Sequence, residues 1–419
     1  MSGGRRSSRR IGGLVAAGAV GAALVVTAVV PAGATVGSVG AVGAVVSEAG
    51  NRTVTSAKDV GSGGAGDGGQ GASSRCDHSG TQRLLDALTR AEGVPGATAE
   101  VTGPGCGTWR GTSGTADREH RRPVRGGERF RIGSVTKTFT ATVVLQLAAE
   151  GRLDLDAPVE RYLPGVVNGR YDGGSITVRG LLRHTSGLPD YVSGLDWDNV
   201  AQWRLDHHSD RELVNVALAL PSPGDGWHYS NTNYVLAGMI VEKVTGKDIG
   251  TEITRRVVKR LGLNDTYWPG DATGLRGRHL RGYTPVGDGL VDVTDFNPTV
   301  AGASGALVST THDLNRFFAA LLGGRLLPPA QLAEMRETVP ADPARLWPGG
   351  EYGLGLASAP LSCGGRWWGH RGSFLGYRTL SAVTQDGRQV TISLNQYELP
   401  ASADRAVLQV AQTALCETR

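Results

Sequence analysis

The sequence is short of several things, and each shortage removes a class of explanation. Its 4 cysteines, Cys76, Cys106, Cys363 and Cys416, stand too far apart for a CxxC redox pair or a zinc knuckle. No HExxH or His-x3-His spacing occurs, and the adjacent His207 and His208 do not make one, so no metal is expected. GxGxxG and P-loop patterns are missing in usable context, which leaves no cofactor implied. Repeats at a period of about 20 to 50 residues are absent, excluding solenoids and propellers. Without a heptad run or a long exposed apolar helix, nothing argues for assembly, and a monomer is expected. Surplus positive charge is also lacking. The formal net charge is +4, and Arg5, Arg6, Arg9 and Arg10 alone account for it, so nothing basic remains to grip nucleic acid through counterion release.

What is present reads as globular. The 419 residues are 40% hydrophobic and 20% charged, with 63 glycines and 6% aromatics, and the length allows two or three domains.

The four arginines precede Ile11 to Val30, a run rich in Ala, Val and Gly that exits through Pro31, Ala32, Gly33 and Ala34. This pattern resembles an export signal over residues 1–34, cut after Ala34. A retained membrane anchor is the other reading, since 20 apolar residues just span a bilayer. The small-residue exit favours cleavage and a secreted protein, with membrane contact only if the leader stays. Ser8-Arg9-Arg10 leaves a twin-arginine route open. Residues 35–75, almost wholly Gly, Ala, Val, Ser and Thr, have too little bulky apolar side chain to offset ordering entropy and read as a tether.

Export suits disulfides. Of three possible connectivities, Cys76 with Cys106 and Cys363 with Cys416 is favoured, because each pair joins a cysteine on a predicted strand or hairpin to one on a flanking helix. Four unpaired thiols is the alternative.

Residues 76–419 form the folded part. A helix from Thr81 leads into strands over ATAEVT and GTWRGTSG, then into RFRIGS, which runs at Ser134. Val135 to Glu150 is apolar on nearly every face and stops at Gly151, marking a helix buried in the middle of the protein. Residues of about 155–300 read as an inserted helical lobe. Later come helices after Asp313, four short extended segments (YGLGLASA, GRWWGH, GYRTLSAVT, RQVTISLNQ) and a final amphipathic helix. The intervening turns argue for antiparallel pairing, a sheet covered by helices with a helical lobe beside it.

Three short patterns carry chemistry. In Ser134-Val135-Thr136-Lys137 the hydroxyl and amine share one helix face, so a lysine stripped of charge by burial can take the serine's proton, and the Ser134 N–H at the helix start can meet an oxyanion. An ordinary helix start capped by Ser134 is the competing reading. In Tyr229-Ser230-Asn231 the phenol, its pKa lowered by a nearby lysine, can shuttle protons and the Asn231 amide can orient a substrate carbonyl. In His370-Arg371-Gly372-Ser373 a strand edge can bind an extended peptide, Gly372 lets substrate approach, and the Ser373 N–H is a second oxyanion donor. Alone, the tripeptide reads as a loop turn and the histidine as structural.

Together and in order, SVTK, YSN and HRG resemble the S-x-x-K, Y-x-N, H-x-G pattern of penicillin-recognising serine acyl-transferases. Flanking text agrees, including ITVRGLLRHTSGLPDY, YSNTNYVLAGMIVEKVTG, SGALVSTTHDL and EYGLGL. Over residues 77–417 the chain is similar to the secreted D-alanyl-D-alanine carboxypeptidases of the class C β-lactamase-like group. The resemblance implies an α/β (α+β) fold of the β-lactamase/transpeptidase type, an antiparallel sheet sandwiched by helices plus an all-helical lobe. It implies Ser134 as acylated nucleophile, Lys137 and Tyr229 as managers of its proton, and Asn231 holding the substrate amide, with His370 where many relatives carry lysine. The implied partners are peptidoglycan stem peptides ending in D-Ala-D-Ala, with β-lactams as covalent inhibitors. One departure stands out. Comparable carboxypeptidases have an arginine just after the YGLGL strand, where this chain has Ala357, while Arg371 fills the usual threonine position. Arg371 is therefore expected to hold the substrate carboxylate, unless it points to solvent on the strand's other side. A class C-type β-lactamase, an esterase, a D-amino-acid amidase and a penicillin-binding protein without turnover share the same motifs.

Overall fold

A computed structural model describes residues 76–417. The expected export signal and tether lie outside the described residues.

β1 (Gly96–Gly103), β2 (Gly107–Asp117) and β3 (Arg122–Pro123) come first along the chain. Two small ladders follow, β4 (Phe130–Arg131) with β7 (Val308–Ser309), and β5 (Tyr283–Val286) with β6 (Gly289–Asp292). The last group is β8 (Val339–Pro340), β9 (Glu351–Tyr352), β10 (Ala357–Pro360), β11 (Arg366–Phe374), β12 (Tyr377–Thr384) and β13 (Gln389–Leu394). Nine of these strands form one antiparallel sheet in the order β3-β2-β1-β13-β12-β11-β10-β9-β8. The early hairpin thus completes a sheet whose centre is made by the end of the chain, through register pairs such as Ala99 with Ile392.

Alternation along the strands gives each face its own core. Ala97, Ala99, Trp367, Leu380 and Ile392 pack with Leu85 and Leu88 of the Ser79–Arg90 helix and Val410 and Leu415 of the Ala401–Glu417 helix. The opposite face meets the Thr311–Leu322 helix, whose Asn315 donates to the Glu100 carbonyl and accepts from Thr391, and the Thr136–Ala149 helix packs behind it toward the helical region. That helix is buried along Thr136 to Leu147 with no polar stripe, as its sequence predicts, and Phe139 stacks on Phe317 at 3.6 Å. Its threonines keep their hydroxyls satisfied in this dry setting: Thr138 donates to the Gly355 carbonyl at 2.7 Å and Thr140 to that of Ala303 at 2.8 Å. Residues of about 155–300 are mainly short helices but also carry the β5–β6 hairpin, which the sequence reading left out. Both favoured disulfides are present, Cys76–Cys106 and Cys363–Cys416.

Two glycines seat the helix start on the sheet. Gly133 has a φ of +51, and a Cβ there would strike the Ser373 backbone. A Cβ on Gly372 would strike the Ile132 carbonyl oxygen. The segment carrying Ser134 and the end of β11 therefore touch backbone to backbone. Because β10 pairs β11 only as far as Gly369, the stretch from His370 onward has a free edge for this contact.

Candidate active site

Ser134 lies in the 3-10 turn Gly133–Val135 that opens into the long buried helix, where backbone N–H groups lack partners within the helix. One turn on, the fully buried Lys137 amine reaches three oxygens: Ser134 Oγ at 3.1 Å, Asn231 Oδ1 at 2.6 Å and the Ser304 carbonyl at 2.9 Å. Asn231 stands at the first position of the Asn231–Thr245 helix, and its Nδ2 donates to both carboxylate oxygens of Asp190, at 2.9 and 3.2 Å. A carboxylate only accepts, so this contact turns the amide oxygen toward the lysine.

The protonation logic follows from that geometry. Burial pulls the Lys137 amine down to about 7, while Asp190 opposes the shift. Two of its three neighbours, the Asn231 amide oxygen and the Ser304 carbonyl, have no proton to give and take both N–H groups of a neutral amine. The lone pair is left facing Ser134, whose hydroxyl becomes the donor.

Tyr229 closes the other side. Its ring lies 4.9 Å from Lys137 Nζ and 4.4 Å from the His184 ring, and it lines the cleft together with Ser134. Burial raises this phenol, outweighing the lowering influence of the Ser134 hydroxyl and of the Arg371 and Arg345 charges. The lowered pKa expected from a nearby lysine is thus reversed, because desolvation dominates over any cation, and Tyr229 stays a protonated donor near Ser134.

Three more placements differ from expectation. His370 is fully buried and does not line the cleft: Nδ1 meets the Arg371 carbonyl at 2.5 Å and Nε2 meets the Tyr352 hydroxyl at 2.8 Å. Burial beside Lys137 pushes it down to about 3, so it remains neutral, a packing and hydrogen-bonding residue behind the nucleophile. Gly372 admits the Ile132 backbone, which fills the space kept for substrate. Asn231 lines the cleft, yet both ends of its amide have partners, which makes it a link between Asp190 and Lys137 more than a free hand for substrate.

Arg371 and Ser373 do line the cleft, a space of about 340 Å³ that also includes Ser134, Tyr229, Arg345 and Arg378. Arg371 is half-buried, neither free in solvent nor fully inside, and donates to the Leu346 carbonyl at 3.0 Å. Ser373 accepts from Arg378 at 3.0 Å through its side chain, with its backbone against Gly133.

The residue set matches a family model for Beta-lactamase over residues 81–415. The chain belongs to the beta-lactamase family of serine hydrolases. Penicillin-binding protein 4* of Bacillus subtilis is 31% identical over 320 residues, 72% of this chain and 68% of that one. Esterase EstB of Burkholderia gladioli is 36% identical over 195 residues, 43% of this chain and 49% of its own length. The solved D-stereospecific amidohydrolase of a Streptomyces species superposes with a TM-score of 0.74 at 42% identity, covering 82% of this chain and all of that one. The fold is the β-lactamase/transpeptidase α/β type.

Residues without an assigned role in the sequence reading complete this beta-lactamase-family site. Asp190 and Ser304 lie in segments quoted for their likeness, HTSGLPDY and SGALVS, but only tertiary contact reveals what they touch. His184 ends the Val178–Arg183 helix with a φ of +64, and its Nδ1 accepts from the Ser230 N–H at 3.2 Å and from Asn233 at 3.1 Å, steadying the loop that carries Tyr229. A left-handed non-glycine residue with a fully buried ring marks a held position.

Proposed function

We propose that this serine hydrolase is a D-alanyl-D-alanine carboxypeptidase acting on peptidoglycan stem peptides. The observation that carries the reading is the charge of the cleft. Arg345, Arg371 and Arg378 line it, and Asp190, the one carboxylate among the lining residues, is turned to Asn231. Such a cleft favours a substrate ending in a free carboxylate over a free amino-acid amide, which brings an ammonium and no anion.

In this reading Ser134 Oγ attacks the carbonyl carbon of the scissile peptide bond as its proton passes to the Lys137 amine. The N–H groups of Ser134 and Ser373 receive the oxyanion. Collapse breaks the C–N bond, Tyr229 protonates the departing D-alanine nitrogen, and Lys137 restores the phenol's proton. Water then attacks the ester, giving its proton to Lys137 and returning the hydroxyl. β-Lactams, whose ring offers the same carbonyl and carboxylate, acylate the same serine.

A second reading is favoured by the likeness to the D-stereospecific amidohydrolase, which extends over that protein's whole length. One experiment separates them: hydrolysis of N-acyl-D-Ala-D-Ala, its C-terminal amide and D-phenylalaninamide by the same preparation. The carboxypeptidase reading expects the free acid to be cut fastest, and preference for either amide rejects it. The arginine-led leader pattern and the two disulfides support a secreted location. Fractionating cells and medium tests that.

A further inference from the structure

Beyond Arg371 and Arg378 lies a second cavity of about 200 Å³, between residues 343–348, the β12 strand and the first half of the Ala401–Glu417 helix. Its walls are largely apolar, with Leu346, Trp347, Leu380, Leu399, Val407 and Leu408 among them. Ala344, Leu346, Arg371 and Arg378 line both this chamber and the catalytic cleft, so the two spaces adjoin at a pair of guanidinium groups.

Those guanidiniums are under-neutralised. Arg371 and Arg378 face a single carboxylate, Asp404, which is half-exposed and stands 3.8 Å from each. Burial pulls Arg371 below its ordinary value, as expected of a cation short of a close counter-ion. Trp347 is only 6% exposed, and its indole N–H has no hydrogen-bond partner. An apolar chamber with two cations at its mouth and a spare buried donor in its wall suits an amphiphile, with a carboxylate at the arginines and a hydrocarbon inside.

We propose that this chamber is a subsite for the side chain of the departing residue, an apolar C-terminal D-amino acid larger than alanine whose carboxylate is held by Arg371 and Arg378. The inference rests on the carboxypeptidase reading and narrows its substrate class. With the carboxylate at the arginines, the residue's side chain is the part left to enter. A methyl group leaves most of the chamber of about 200 Å³ empty, whereas a branched four-carbon side chain such as that of leucine takes up a substantial part of it.

The test is release of D-X from N-acetyl-D-Ala-D-X, with X as Ala, Val, Leu or Phe, by the full chain. With three extra carbons in an apolar pocket, kcat/KM for D-Leu should exceed that for D-Ala by about tenfold or more. Val407→Trp, which fills the chamber from a half-buried helix position, should bring the D-Leu to D-Ala ratio near one, and Leu399→Ala, which enlarges it, should move the optimum toward D-Phe. Equal rates across the wild-type series, or a ratio that neither variant moves, overturn the subsite. Calorimetric binding of D-leucine and D-alanine to the Ser134→Ala protein reads the chamber without turnover. Tighter D-leucine binding that Val407→Trp removes supports it even in a protein that releases no residue, an outcome that would dismiss only the carboxypeptidase reading. Equal binding of the two amino acids overturns it.

Discussion

The side-chain oxygen of Asn231 lies 2.6 Å from Lys137 Nζ, closer than the Ser134 hydroxyl at 3.1 Å. The amine is held by the amide and aimed at the serine, and Asp190 decides which way the amide faces.

Asp190→Asn removes that decision, because a carboxamide both donates and accepts and lets Asn231 turn either way. The resulting misplacement of Lys137 should cut kcat by about 10²-fold at neutral pH. Asp190 also holds the Lys137 pKa up, so its loss should move the acid limb of kcat/KM to lower pH. A pH-rate profile reads both effects, and a limb that stays in place counts against the coupling.

Lys137 must be uncharged to take a proton. With its amine pulled down to about 7 by burial, kcat/KM should rise with pH through that value and fall about tenfold per unit below it. Lys137→Arg should be inactive across the range, since a guanidinium does not deprotonate.

Ser134→Ala should lose activity by about 10³-fold or more and show no mass increase after brief exposure to benzylpenicillin. An adduct of the drug's mass on this variant would place the nucleophile elsewhere.

Gly372→Ala forces a methyl group against the Ile132 carbonyl. Overpacking of this kind costs about 1–3 kcal/mol, and the strain falls on the segment that holds Ser134. Thermal melts should show a lower Tm, and kcat should drop because the segment carrying Ser134 is displaced.

Removing the Cys363–Cys416 bridge, which closes a loop of 53 residues, should destabilise the protein by about 4 kcal/mol on chain-entropy grounds. Denaturant unfolding of the double serine variant measures it.

Much of this was legible in the sequence because it is local. Ser134 and Lys137 are one helical turn apart, the run after Val135, apolar on nearly every face, announces a buried helix, and the turns between short extended segments such as GRWWGH and GYRTLSAVT announce antiparallel strands. What was not legible depends on partners far along the chain. Nothing near Asp190 says that it meets Asn231, and nothing near Gly372 says that Ile132 occupies the space above it. His370 looked like a wall of the cleft because strand alternation has two phases and the sequence does not say which one the nucleophile sees. Tyr229 was assigned the wrong direction of shift because charge can be counted in a sequence while desolvation cannot.

The paired glycines, Gly133 and Gly372, have one more effect. During synthesis the hydroxyl and amine emerge early, while the strand that backs them emerges near the end of the chain. A half-made polypeptide therefore has the reagents without the bench on which to align them, and turnover becomes a report that the last strands have arrived.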